Sequence, residues 1–332
     1  PMLVDRSSGE CVDCHRLEPA LERPGDPLAV VTGFAPDAHP QFEVTLPVAE
    51  EDAPDEDARF IAVSLRDAIE KSNLKFSHAQ HLDVEKVRDA GGGQVLQCDA
   101  CHEADGTGEH FKPVRMLEHC EECHTLAFDL DDPLRRLPHG DTQEAVRVMR
   151  EHFLRRYVQP EPESDGGFER RRLPEGVRTA VACTGSALSC AQIAFDRVFS
   201  EQLQQKDEGC AKCHQVVDTQ AGEPEARYEV RRVHLVPDFM PAGHFPHDQH
   251  LILGDPDGGG DRKGDVACLT CHGALKSEAS SDVLMPDAAV CFDCHRDESV
   301  SSRVSLSCAD CHAYHPRSGQ GRSTTLARSD LT

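Results

Sequence analysis

Apolar positions recur with two different periods along this chain. Val146, Met149, Phe153 and Tyr157 follow helical spacing, with Asp141 or Thr142 as a cap and Pro160 as a stop. That pattern predicts a helix from about 142 to 157. A second helix is predicted over 191–205. Two-residue alternation appears in VTLPV and RFIAVSL, within residues 44–65, and predicts a short β-hairpin around the acidic turn EEDAPDEDA. The segment EPESDGGFERRR reads as a solvated linker. No run approaches the 18 or so apolar residues that a membrane-spanning helix requires. Most of the remaining chain reads as loop.

Composition explains why so little periodic structure is expected. The 332 residues include no Trp, 3 Tyr and only 5% aromatics, and the mean hydropathy is −0.50. A chain of this length is long enough for one or two domains with substantial interiors, yet its side chains supply a thin core. With 16 Cys and 19 His, the deficit points to disulfides, metals or covalent cofactors.

Fourteen of the 16 cysteines fall in seven copies of C-x-x-C-H: Cys11/Cys14/His15, Cys98/Cys101/His102, Cys120/Cys123/His124, Cys210/Cys213/His214, Cys268/Cys271/His272, Cys291/Cys294/His295 and Cys308/Cys311/His312. Chance at these Cys and His frequencies gives about 0.05 copies. Two thiols three residues apart suit thioether bonds to the two vinyl groups of one haem, and the next His then lies under the iron as its proximal ligand. The expectation is seven covalently bound haem c groups. Structural zinc also uses paired C-x-x-C, and thiol redox chemistry uses one. Neither needs a His directly after every second Cys. Cys183 and Cys190 stand outside the motifs and are expected to form a disulfide across CTGSALSC.

Each haem iron takes two axial ligands, and the motif supplies one. Seven further nitrogen ligands are needed, and 12 histidines remain: His39, His78, His81, His110, His119, His139, His152, His234, His244, His247, His250 and His315. The stretch FSHAQHL at 76–82 returns as FPHDQHL at 245–251, each with two histidines three residues apart. Such a pair is too close to serve one iron but suits two neighbouring haems. The distal ligands are expected to be His39, His78, His81, His119, His247, His250 and His315, with His139 and His234 in reserve. His110, His152 and His244 read as surface or supporting residues. Met116 and Met285 precede motifs and are expected to pack against porphyrin rather than ligate.

A duplication runs through the chain. His78 to Cys98 is 20 residues and His247 to Cys268 is 21; Cys98 to Cys120 is 22 and Cys268 to Cys291 is 23. The expected organisation is an N-terminal haem module over 1–128 with three haems, a haem-free connector over 129–209, and a C-terminal module over 210–332 with four. The 142–157 stripe is expected to pack on a haem or a neighbouring module.

Phe-x-His-x-x-His shortly before C-x-x-C-H resembles the class III and related multihaem cytochromes c, the group with a doubled CxxCH motif. The likeness covers roughly 76–128 and 210–315, and HPQF at 39–42 is similar to a His-Pro segment of larger members. The resemblance implies that the two histidines of each pair ligate different haems. It also implies a mostly irregular and α-helical fold in which haems form the core.

The formal net charge of −24, to which haem propionates add, argues against nucleic acid as a partner and favours basic patches on redox proteins. Haem is attached to CxxCH outside the cytoplasm, so a periplasmic or extracellular location is expected, with Pro1 as the start of a processed chain or of its ordered part. The leading expectation is electron transfer along a chain of low-spin bis-His haems, not enzymatic catalysis. A subunit of an extracellular conducting filament is the alternative. A multihaem reductase with an open haem site ranks third.

Overall fold

The computed structural model describes residues 31, 33–35, 38–47, 60–129, 131–158, 183–204, 209–220, 227–241, 243–251, 264–292, 294–295 and 307–312. In chain order the elements are β1 Glu43–Pro47, β2 Phe60–Ser64, α1 His78–His81, α2 Thr142–Val158, α3 Ala187–Gln204, α4 Gly209–Cys213, β3 Val216–Asp218, β4 Tyr228–Val230, α5 His247–His250, α6 Val266–Cys271 and α7 Ala288–Phe292. Only α2 and α3 exceed two turns. Regular structure is sparse, as the composition implies.

Chain contacts define two units. The first takes in Pro1–Ser72, Ser77–Pro113 and Leu235–Leu326; the second takes in Asn73–Phe76, Val114–His234 and Ala327–Thr332. This grouping cuts across the 1–128, 129–209 and 210–332 segments expected from motif order. The 98–102 motif groups with the motifs at 268–272, 291–295 and 308–312, and the 120–124 motif groups with 210–214.

In the first unit, β1 and β2 pair antiparallel from Glu43 opposite Ser64 to Pro47 opposite Phe60. This is the hairpin predicted from alternation. Val44 and Leu46 face inward and are buried, whereas Phe60 and Ile61 are exposed. The Thr45 N–H also donates to the Phe239 carbonyl at 2.7 Å.

In the second unit, α2 begins where the sequence places its cap. Asp141 Oδ1 accepts the Glu144 N–H at 2.9 Å, and the Asp141 carbonyl accepts from Ala145. Met149 and Phe153 of α2 bury against Ala194, Phe195, Val198, Phe199 and Leu203 of α3, with Phe128 and Leu137 completing the cluster. The apolar stripe of α2 therefore packs on a second helix of the same connector rather than on another module. The reason is complementarity: α3 carries its own stripe of Phe and Val at helical spacing, and the two stripes cover each other. Cys183 and Cys190 are joined by an S–S bond of 2.03 Å. Cys190 lies in the first turn of α3, which starts at 187 rather than the predicted 191.

Beside this core, Asp129 accepts from His152 Nε2 at 2.7 Å and from Arg156. Burial opposes charge on Asp129, but the hydrogen bonds from His152, the Asp131 N–H and Arg156 outweigh it and hold the carboxyl at about 2. The strands β3 and β4 pair antiparallel, Val216 opposite Val230, and both valines pack on the edge of the helical cluster.

Candidate haem-binding site

All six described C-x-x-C-H motifs adopt the same local turn. The His N–H donates to the carbonyl of the first Cys: His102 to Cys98 at 2.9 Å, His124 to Cys120 at 2.8 Å, His214 to Cys210 at 2.8 Å, His272 to Cys268 at 2.9 Å, His295 to Cys291 at 2.9 Å and His312 to Cys308 at 2.9 Å. One helical turn brings both sulfurs and the imidazole to one side of the chain, which is what a group held at three points requires. The sequence expects thioethers at these sulfurs. Among the described residues, none of Cys98, Cys101, Cys120, Cys123, Cys210, Cys213, Cys268, Cys271, Cys291, Cys294, Cys308 and Cys311 is joined in a disulfide. Within the third motif Cys120 is half-buried and Cys123 exposed. His124, its expected proximal ligand, is half-buried at the end of the turn. In the second motif Cys98 and Cys101 are both half-buried. Cys11, Cys14 and His15, the expected first haem site, lie outside the described residues.

Burial, then the Asp265 carboxylate and Cys268, push the Cys98 thiol up to about 12. Burial, then Cys271, Cys311 and Asp287, push Cys291 up to about 11.

The two His pairs are built alike. In α1, His81 Nδ1 donates to the Ser77 carbonyl at 2.8 Å; in α5, His250 Nδ1 donates to the Pro246 carbonyl at 2.9 Å. In both copies the acceptor lies four residues back. His39, His247 and His272 likewise aim Nδ1 at the carbonyls of Pro40, Glu109 and Leu284. In the π-type turn Met116–Cys120, by contrast, His119 Nδ1 accepts the Arg115 N–H at 3.0 Å, with the Arg115 carbonyl 3.1 Å away. A carbonyl only accepts, so Nδ1 of a His donating to it carries the proton and Nε2 keeps its lone pair for a metal.

Each turn is anchored by backbone bonds to distant chain. Ser77 caps α1, its hydroxyl accepting from Gln80 at 3.1 Å, and the Ala79 N–H donates to the Ser277 carbonyl at 2.8 Å. In α5 the Asp248 N–H donates to the Gly108 carbonyl at 3.1 Å. Gly108 has φ of 85°, and a Cβ there would lie 2.9 Å from the Asp248 carboxylate, so this close approach needs glycine.

Imidazoles then come close in pairs within the first unit. The ring centroids of His78 and His102 are 6.4 Å apart with planes at 14°. Those of His39 and His312 are 6.1 Å apart at 22°, and those of His250 and His295 are 6.3 Å apart at 31°. His247 lies within electrostatic reach of His272. In the second unit, His139 and His214 are 5.8 Å apart at 40°. Burial, then His102 and His81, lower His78 to about 4, and burial lowers His139, His214 and His247. All four are neutral near pH 7, the form that ligates.

Residues 261–300 match the doubled CXXCH motif family. This stretch is a multihaem c-type cytochrome region. No curated protein and no solved structure matches the chain. In such a cytochrome, haem is carried covalently on the CXXCH motif. The separations of the paired imidazoles fit that group. With metal–nitrogen bonds of about 2.0 Å and ring nitrogens about 1.1 Å from their centroids, two trans imidazoles on one metal put their centroids about 6.2 Å apart. The four measured separations lie within a few tenths of an ångström of that value. Among the described residues, no three of His, Cys, Asp and Glu converge as a tetrahedral metal site would require.

The other histidines have different settings. His152 is tied to Asp129, and His244 Nδ1 is 2.9 Å from Glu109 Oε1. His110 and His234 are exposed. His315 lies outside the described residues. His139, a reserve candidate from the sequence, sits in a bend at 139–140 without a motif around it, and tertiary packing brings its ring near that of His214. Phe245, the aromatic that opens FPHDQHL, stacks on His250 at 4.3 Å and meets His247 edge-on at 4.7 Å, fixing both ring orientations.

Proposed function

We propose that the chain is a heptahaem cytochrome c that carries electrons through bis-His haems between redox partners outside the cytoplasm. The observation that supports this most strongly is the set of close imidazole pairs, each bringing a motif histidine near a second histidine. On this reading His78, His247, His250, His39 and His139 are the distal ligands opposite His102, His272, His295, His312 and His214. His81 and His119 are then the two further distal ligands that seven haems require. His315, expected from its position beside the last motif, is then not required.

The haem would supply the Fe(III)/Fe(II) couple. The protein's part would be to hold each iron with two imidazoles, with backbone carbonyls fixing the rings of His39, His81, His247, His250 and His272, which raises their basicity and limits rearrangement. Filling both axial positions leaves no coordination site for a substrate, which favours electron transfer over reduction of a small molecule. The second His pair, with His247 directed to the 268–272 motif and His250 to the 291–295 motif, holds two haem sites on one turn of chain. Cys271 and Cys294, from those same two motifs, are mutual neighbours, which agrees with close approach of the sites. No described helix is long and apolar enough to cross a membrane. The acidic chain, at −24, suits basic surfaces on redox proteins.

Intact mass measurement of the denatured holoprotein tests the stoichiometry. The expected result is one polypeptide with seven haem adducts. Fewer adducts would return one or more motifs to another role.

A further inference from the structure

A carboxylate joins two motifs that are far apart in sequence. Asp265 precedes α6 and is buried, with 3% of its surface exposed. Its Oδ1 accepts the Cys98 N–H at 3.0 Å, and its own carbonyl accepts the Leu269 N–H at 2.9 Å, starting the turn that carries Cys268 and Cys271. Cys98 and Cys268 are themselves within electrostatic reach of each other. Gln97 flanks the same junction, its Oε1 3.8 Å from where a Cβ on Gly264 would lie. Phe111 spans the next layer, meeting the ring of His102 at 6.3 Å and that of His247 at 5.1 Å. The first Cys of the second motif, the first Cys of the fifth motif and one buried acid thus share a single junction within the first unit.

We propose that Asp265 is a positioning and tuning residue common to the second and fifth haem sites, where its buried charge holds the potentials of both haems low. The proposal rests on the reading of 98–102 and 268–272 as haem sites. A negative charge in a low-dielectric junction stabilises Fe(III) relative to Fe(II), because reduction adds one electron and removes one positive charge from the iron. Its influence falls off with distance and screening, so it acts on the adjoining haems and not on the others. The hydrogen bond to the Cys98 N–H serves the second role, docking the 98–102 turn on the start of α6.

The test separates these roles. Asp265→Asn retains an oxygen to accept the Cys98 N–H but removes the charge; Asp265→Glu retains the charge. Spectropotentiometric titration of each holoprotein with dithionite, alongside its haem count by mass, gives the readout. The expected result for Asp265→Asn is a full haem count with two haem waves displaced to more positive potential and the remainder unmoved, while Asp265→Glu keeps the original waves. A full haem count with no wave displaced, with all waves displaced equally, or with Asp265→Glu displaced as far as Asp265→Asn, would overturn the tuning role while leaving the haem assignment intact. If the unaltered protein carried no haem at 98–102 or 268–272, the underlying site reading would fall, and the proposal with it.

Discussion

At the scale of single residues, chemistry made some positions legible in the sequence and left others hidden. A haem fixed by two thioethers and an imidazole dictates C-x-x-C-H, so those residues announce themselves. The repeated His pairs do so as well, because the return of Phe-x-His-x-x-His includes the carbonyl four residues before the second His that orients its ring. His139 has no such signature. Its relation to His214 is made by the fold, with Leu137 buried in the helical cluster just before it. The assignment of His139 over His315 has a direct consequence. Replacing His139 with Ala should convert one haem of the seven from low-spin to high-spin and open it to carbon monoxide, whereas His315→Ala should leave every haem unchanged. Optical titration with carbon monoxide reads the difference, and conversion by His315→Ala with none by His139→Ala would reverse the assignment.

At the scale of elements, periodicity located α2 and the β1–β2 hairpin, and capping chemistry fixed where α2 begins. The partner of the α2 stripe was not legible, since an apolar face carries no record of what covers it. The α2–α3 pair now makes its own expectations. Phe153 is buried at the centre of that contact, so Phe153→Ala should destabilise the second unit by about 3–5 kcal/mol, seen as an earlier transition in denaturant unfolding followed by far-ultraviolet circular dichroism. Asp129, held at about 2 by His152, Asp131 and Arg156, makes the same region pH-dependent. Its folded value lies below the ordinary carboxylate value of about 3.9, so its contribution is full above that pH and is lost as pH falls through about 2. Asp129→Asn should therefore lower the thermal midpoint at pH 6, with the difference from the unaltered protein shrinking between about pH 4 and pH 2. An equal difference at both ends of that range would show that Asp129 acts through shape rather than charge.

At the scale of the whole molecule, the motif order suggests modules laid end to end, and contacts instead group the 98–102 motif with the three C-terminal motifs described. The bonds responsible, from Cys98 to Asp265, from Ala79 to Ser277 and from Asp248 to Gly108, join residues more than 130 positions apart. Such pairings depend on three-dimensional closure and leave no local pattern to read. They also explain how a chain with few aromatics forms this unit: short turns are tied together by backbone hydrogen bonds between distant segments. The central claim is that both axial positions of every haem are taken by histidine. Low-temperature electron paramagnetic resonance of the fully oxidised holoprotein, integrated against total haem, tests it most directly. The account predicts low-spin signals that sum to all seven haems, and a high-spin signal amounting to one haem or more would contradict it.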